Sequence, residues 1–171
     1  MGEDDVTRCV GLYRKLYRDN DNYVEEEALG KARVFDMLIG DWGRHEDNWK
    51  WAGYDQGDKR IYYPIPRDRD HAFCRWNGLV PYLADRKWAM PMVESFEADF
   101  KDIKSLTWPG RYLDRSLLTE LDHSDWKQIS STLANTMTDE VIDNAISSLP
   151  PEILPVSGLE IGEMLKSRRE Q

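Results

Sequence analysis

The chain has 171 residues, of which 32 are acidic and 23 are lysine or arginine, and its formal net charge at pH 7 is -9. This length fits one domain, and a hydrophobic fraction of 40% is enough for a sizeable core. The acidic balance argues against binding to nucleic acid or to an anionic membrane surface, because both need basic patches. It is compatible with binding a divalent metal ion.

Membrane insertion and a disulfide framework are not expected. No apolar run approaches the roughly 18 residues of a membrane-spanning helix. The acidic N-terminus also lacks the features of a signal peptide. Cys9 and Cys74 are the only cysteines, and two buried thiols are favoured over a single bridge.

Two helices are predicted at the start of the chain. Apolar side chains recur at helical spacing over residues 6–18 and again over residues 25–38. The polar run at 19–22 separates the two helices. The second helix leads directly into a loop that is rich in Asp and His.

A β-hairpin is predicted next. Residues 49–54 and 60–65 alternate between apolar and polar side chains, and turn-forming residues lie at 55–58. Antiparallel pairing of these strands would return residues 68–73 to the side of residues 41–48. We therefore expect the two polar segments to be neighbours in space.

The remainder of the chain has helical periodicity. Thr138 is a predicted N-cap, and Ser157 with Glu160 fits a capping box. The expected fold class is mainly α with a small antiparallel β-hairpin (α+β), in a single domain that covers residues 1–171. The predicted helices cover residues 92–104, 114–121, 124–136, 139–149 and 158–168.

Reactive side chains are concentrated in the two polar loops. Residues 41–48 and 68–73 together contain four Asp, two His, one Glu and one Asn. Such polar density between apolar flanks is typical of a packed functional site. Phosphoryl transfer needs a carboxylate that orients the attacking hydroxyl, together with an Asn and an Asp that hold metal ions. Two loops joined by a hairpin would supply most of these groups.

The six residues from Gly43 to Asn48 read Gly-Arg-His-Glu-Asp-Asn. They resemble the Asp-Arg-His-x-x-Asn catalytic loop of the atypical kinases, which include phosphoinositide kinases, HipA-type kinases, secretory-pathway casein kinases and CotH-type kinases. The resemblance is closest to a bacterial cell-surface version that reads Ile-Gly-Asp-Trp-Asp-Arg-His-Glu-Asp. It covers residues 30–75 well, whereas residues 76–171 fit only a generic helical kinase C-lobe.

The resemblance implies a metal site and a nucleotide site. Asn48 and Asp68, with Asp70 assisting, would hold Mg²⁺ or Mn²⁺ together with ATP. Arg44 would either contact a phosphate or form a salt bridge within the loop, and His45 would orient the loop. A simpler interpretation also stands, in which Asn48 starts a strand and the two aspartates form surface ion pairs.

The sequence departs from the family in two places. Gly43 stands where the family has its catalytic Asp, and glycine has no carboxylate to orient a hydroxyl. Asp41 is the best remaining candidate for the catalytic base, and Glu46 and Asp47 are other stand-ins. There is no glycine-rich nucleotide loop, so the N-lobe is expected to be absent, reduced or upstream in a longer protein. His71 is expected to be structural rather than a metal ligand.

The resemblance and the departures from it imply three alternative functions. The first is metal-dependent transfer of the γ-phosphoryl group of ATP to a hydroxyl, by a domain that is either active or degenerate. The second is a non-catalytic pseudokinase module that binds a partner within a larger bacterial cell-surface protein. The third is a metal-dependent phosphohydrolase that uses the same acidic side chains. The sequence identifies neither the hydroxyl substrate nor the cellular location, and an extracytoplasmic position within a larger protein is one alternative.

Overall fold

The computed structural model describes residues 6–76 and 94–171. The first half of the chain contains a four-stranded mixed sheet. The strands are β1 (Val6–Arg8), β2 (Asn22–Val24), β3 (Trp49–Gln56) and β4 (Lys59–Pro66). Their order across the sheet is β1-β3-β4-β2. β1 and β4 both pair antiparallel with β3, whereas β2 pairs parallel with β4.

Helices account for most of the remaining described residues, which confirms a mainly α fold with a small sheet (α+β). Short 3₁₀ turns occur at Glu46–Asn48 and Trp108–Gly110, and a π-helical turn occurs at Leu154–Gly158. In neither described range is a helix long and apolar enough to cross a membrane. The α-helices are α1 (Cys9–Arg18), α2 (Glu26–Leu38), α3 (Ile103–Thr107), α4 (Arg111–Leu117), α5 (His123–Thr136), α6 (Asp139–Ser147) and α7 (Leu159–Arg169).

The predicted hairpin is confirmed as β3 and β4, each slightly longer than expected. Trp49 lies opposite Pro66 at the open end of the hairpin. Gly57 forms the turn with a φ of +64°, which glycine adopts at little cost. Trp49 and Trp51 are fully buried on one face of β3, as the alternation of side chains along a strand requires. The hairpin is therefore anchored to the core at the end that carries both polar loops.

The predicted helix over residues 6–18 is wrong for its first three residues. Residues 6–8 form β1, whose Thr7 lies opposite Trp51 of β3. A free strand edge offers main-chain hydrogen bonds that local helical spacing does not reveal. The helix itself begins at Cys9.

Two other predicted elements differ from the structure. Residues 94–102 of the predicted helix 92–104 are not helical, and residues 92 and 93 lie outside the described residues. Asp102 instead caps α3, because its side chain accepts hydrogen bonds from the amides of Lys104 and Ser105. The predicted capping box at Ser157 and Glu160 is absent, because the π-helical turn runs directly into α7 and leaves no separate helix start there.

The other predicted helices lie within a few residues of α4, α5, α6 and α7. Thr138 caps α6 as predicted, with its hydroxyl accepting a hydrogen bond from the amide of Val141 at 3.3 Å. Cys9 and Cys74 are both free thiols, but only Cys9 is buried as predicted, whereas Cys74 is half-buried.

Helix α2 connects the two hydrophobic clusters of the core. Leu29 near its start packs with the sheet, α1 and α4, while Leu38 at its end packs with α6 and α7. The end of α2 is therefore fixed in the second cluster, and the first polar loop leaves the helix from this position. The first cluster consists of Cys9, Leu12, Val24, Leu29, Trp49, Trp51, Tyr62, Leu113 and Leu117, and the second of Leu38, Ile39, Phe96, Ile142 and Leu165.

Candidate functional site

The first polar loop, residues 39–48, begins at a well-formed helix end. Gly40 has a φ of +69°, and its amide donates to the carbonyl of Met37 at 3.1 Å. The amide of Asp41 donates back to the carbonyl of Asp36 at 2.8 Å. This pair of bonds is a Schellman motif, in which glycine supplies the left-handed residue. The Ile-Gly-Asp sequence thus sets the direction in which the loop leaves α2.

Arg44 joins the first loop to the second loop, residues 67–73. Its side chain is 1% exposed and lies 4.5 Å from the centre of the Trp49 ring. The guanidinium donates to the carbonyls of Asn48 at 3.2 Å and Asp68 at 3.1 Å, and also to that of Arg67. The expectation that the two polar segments are neighbours is therefore confirmed.

Arg44 was expected either to contact a phosphate or to form a salt bridge within the loop, and the structure has the salt bridge. Its Nη1 atom lies 3.5 Å from a carboxylate oxygen of Asp41, and its Nε atom donates to Asp36 at 3.2 Å. Burial lowers the pKa of Arg44, and the two aspartates oppose that change. Since the guanidinium is buried among protein acceptors, its position in the structure favours a role in holding the loops over direct contact with phosphate.

Asp36 lies at the centre of a buried charge network that was not predicted from the sequence. Its carboxylate accepts hydrogen bonds from Arg33 at 3.4 Å, Arg44 at 3.2 Å and Arg69 at 2.9 Å. Arg33 also makes a two-bond pair with Asp114 of α4, at 2.7 and 2.9 Å. Burial raises the pKa of Asp36, and the three arginines oppose the rise. The network ties α2, both loops and α4 into one unit.

Asp41, the predicted base, is buried within the first loop. One carboxylate oxygen accepts a hydrogen bond from the amide of Gly43 at 3.1 Å, while the other lies beside Arg44. Burial raises the pKa of Asp41, with Arg44 opposing the rise and Asp36 adding to it. The carboxylate is 0% exposed, so in this structure it contacts the arginine cluster rather than solvent.

Asn48 and His45 occupy different environments in the first loop. The side-chain nitrogen of Asn48 donates to the carbonyl of Gly43, which fixes the orientation of the buried amide. His45 is exposed, as are the other stand-ins for the base, Glu46 and Asp47. Asn48 is thus positioned by the loop, whereas these three side chains extend from its surface.

The two aspartates of the second loop are exposed. Asp68 has a φ of +55°, a left-handed conformation that Asp tolerates better than most residues. Arg69 between them turns inward to Asp36, so it forms no ion pair with its neighbours in the loop. Asp70 lies next to His71, with 2.8 Å between Oδ1 and Nδ1. Within residues 6–76 and 94–171, no three or more His, Cys, Asp or Glu side chains cluster as metal ligands would.

The space beside Gly43 is filled by His71. A Cβ atom added at Gly43 would lie 2.4 Å from Nδ1, 3.0 Å from Cγ and 3.1 Å from Cε1 of that ring. The ring also packs on Trp42, with 4.1 Å between the ring centres. Gly43 itself does not have a left-handed φ, so space rather than backbone conformation explains the glycine.

Sequence patterns give only a weak signal for these features. Arg33 and Asp36 stand three residues apart among the apolar residues that end α2, which is unusual for charged residues that face solvent. The contact of Gly43 with His71 has no sequence signal beyond the return of the hairpin. Comparison of the chain with protein-family models, with curated proteins and with solved structures found no match.

Proposed function

We propose that the two polar loops form the metal and nucleotide end of a kinase-like site, in a domain whose phosphotransfer activity is degenerate. The observation that carries this proposal is the set of hydrogen bonds from Arg44 to the carbonyls of Asn48 and Asp68. These bonds join the main chain of an amide residue to the main chain of a carboxylate residue. Phosphoryl transfer uses such a pair to hold metal ions on the phosphates.

The metal ligands would be oxygen atoms. The nitrogen of the Asn48 amide is committed to Gly43, so the oxygen of the same amide is the atom left for a ligand. The exposed carboxylates of Asp68 and Asp70 would complete the protein ligands, and the phosphates of ATP would supply others. Mg²⁺ prefers one or two carboxylates together with substrate phosphates, and Mn²⁺ accepts the same oxygen donors.

The residues around position 43, where the kinase family has its catalytic Asp, support the loss of phosphotransfer activity. Gly43 has no carboxylate, and Asp41 makes a hydrogen bond and an ion pair inside the protein. An acceptor hydroxyl would therefore meet no exposed base at residues 41–43. The phosphohydrolase hypothesis has less support, because it needs a clustered set of acidic ligands and the described residues contain no such cluster.

A thermal unfolding experiment tests the proposal. The wild-type chain is heated with ATP, with Mg²⁺ or Mn²⁺, and with each metal plus ATP. A ligand at a hundredfold excess over its Kd stabilises the folded state by about 2.7 kcal/mol. We expect metal and ATP together to raise the Tm more than the sum of their separate effects.

The variant Asp68→Asn should abolish most of this rise in Tm. Asn keeps the tolerance for a left-handed φ but removes the charge, so the loop should retain its shape. Asp58→Asn in the exposed hairpin turn is the matched control and should respond like the wild type. An equal rise in Asp68→Asn, or none in the wild type, would contradict the proposal.

A further inference from the structure

A side chain at position 43 would need the space between the two loops that the His71 ring occupies. The distance of 2.4 Å from a Cβ at position 43 to Nδ1 of His71 is shorter than real contacts of this kind. The atoms in the way belong to a rigid ring rather than to the end of a flexible chain. A side chain at position 43 therefore requires His71 to move.

The ring of His71 is held in place from two sides. Trp42 packs against it with ring centres 4.1 Å apart. A carboxylate oxygen of Asp70 lies 2.8 Å from Nδ1 of His71. The oxygen is not in line with a ring N–H, so this is a close polar contact and not a well-formed hydrogen bond. Nδ1 itself is buried. Moving the ring would break both contacts.

The ring lies at the distance from Cβ at which a carboxylate on residue 43 would have its oxygen atoms. A carboxylate oxygen lies two bonds from its own Cβ atom, which is about 2.4 Å. Nδ1 of His71 lies at the same separation from a Cβ at position 43. The imidazole thus lies within the reach of an aspartate side chain at position 43, so the two side chains cannot both occupy this space.

We propose that His71 blocks the acceptor position of the site, and that a carboxylate at residue 43 and the His71 ring exclude one another. This inference rests on the proposed function, because it assigns a role to the ring within the phosphotransfer site. The ring keeps a hydroxyl acceptor from the γ-phosphate while Asn48 and Asp68 remain available to metal and ATP. Restoring activity then requires two changes, the addition of a carboxylate at position 43 and the removal of the ring.

A double-mutant cycle tests the steric part of the proposal. The Tm is measured for the wild type, Gly43→Asp, His71→Ala and the double variant. Gly43→Asp alone should lower the Tm by roughly 4 °C or more, because the new side chain meets the ring. In the His71→Ala background the same change should lower the Tm far less. Additive effects would overturn the proposal.

Two further variants keep the cycle interpretable. Gly43→Ala adds only the Cβ atom, so it tests the clash if Gly43→Asp fails to fold. The loss of Tm in Gly43→Ala should also be smaller when His71 is replaced by Ala. His123→Ala removes an exposed histidine at the start of α5 and serves as the matched control. If His123→Ala reduced the loss of Tm caused by Gly43→Ala as much as His71→Ala does, a local clash would be contradicted.

Release of phosphate from ATP with Mg²⁺ tests the acceptor part, with water as the hydroxyl. In this step a water oxygen attacks the γ-phosphorus, the bond to the bridging oxygen breaks, ADP leaves, and the proton passes to the introduced carboxylate. Rates should rise on the order of 10²-fold in the double variant over the wild type. Gly43→Asp alone should gain little, and equal gains in both variants would overturn the block by His71.

The two proposals fail in different ways. If metal and ATP do not stabilise the wild type, the proposed function fails, whatever the outcome of the cycle. If they do stabilise it while the cycle is additive, only the role of His71 fails. The unfolding cycle needs no ligand, so it reports on residues 43 and 71 independently of nucleotide binding.

Discussion

The guanidinium of Arg44 donates to the main-chain carbonyl of Asp68 at 3.1 Å, which joins two loops that lie 24 residues apart in the chain. The same side chain reaches Asp36 in α2. One buried cation therefore organises three segments of the polypeptide. Any change at this position should affect the loops and the helix together.

Arg44→Lys should destabilise the protein by about 3 kcal/mol or more. A lysine provides one compact charge and cannot reproduce the forked contacts of a guanidinium, so Asp36 would lose one of its three arginine donors and the main-chain carbonyls of both loops would lose theirs. Unfolding in urea would measure the change. Arg115→Lys, on the exposed side of α4, is the control and should shift stability by less than about 0.5 kcal/mol. Equal effects at the two positions would show that Arg44 does not hold the loops.

Gly40→Ala should cost more than Gly57→Ala. Both glycines have a left-handed φ, +69° and +64°, so both substitutions incur a conformational cost of about 1–2 kcal/mol. A Cβ at Gly40 would also lie 2.8 Å from Cδ2 of Phe96, whereas one at Gly57 meets nothing within 4 Å. The difference in the free energy of unfolding isolates the close packing at the end of α2. Equal losses of stability would contradict that packing.

The stability of the protein should depend on the ionisation of Asp41. Burial raises the pKa of its carboxyl above the unfolded value, so the folded state keeps the proton to a higher pH. The resulting contribution to stability is fully present below the unfolded pKa and is lost as the pH rises through the folded pKa.

Asp41→Asn tests this dependence, because it keeps the oxygen that accepts from Gly43 but carries no charge. The wild type should lose stability relative to Asp41→Asn as the pH rises from about 4, the ordinary pKa of Asp. Urea unfolding at several pH values would measure the difference. Parallel curves for the two proteins would contradict the prediction. Asp36, whose pKa burial also raises, is present in both.

The wild-type chain should transfer little or no phosphate from ATP. Gly43 lacks the orienting carboxylate, and loss of a general base typically costs on the order of 10²–10⁴ in rate. Incorporation of labelled phosphate into the chain, with Mg²⁺ and then Mn²⁺, would measure residual activity. Robust autophosphorylation that disappears in Asp41→Asn would show that Asp41 has taken over the catalytic role.

Local patterns predicted the parts of the fold that carry the loops. The hairpin has alternating side chains around a Gly57 turn, and α2 has apolar residues at helical spacing, so both signals lie within one element. Local spacing does not predict β1, because residues 6–8 continue the helical pattern of α1 and only their pairing with Trp51 and its neighbours in β3 makes them a strand. Contacts far apart in sequence decided that segment.

The candidate site was predicted in outline but not in its interior. The hairpin implies that the loops meet, and the bonds from Arg44 to the second loop confirm it. The inward turn of Arg69 to Asp36 and the position of the His71 ring depend on three-dimensional packing. A sequence motif names the residues of a loop but does not say which of them turn inward.

The thiol of Cys9 offers a direct way to measure the opening of the contact between α1, the first loop and β3. Its Sγ atom donates to the carbonyl of Glu46 at 3.0 Å and accepts from the indole of Trp51 at 3.2 Å, so it lies between α1, the first loop and β3. Burial raises its pKa and shields it from reagents. Iodoacetamide should therefore modify Cys9 only when these three segments separate. Because this reaction is slow compared with local closing, its rate at Cys9, measured in a Cys74→Ser background, gives the population of the open state in the native protein.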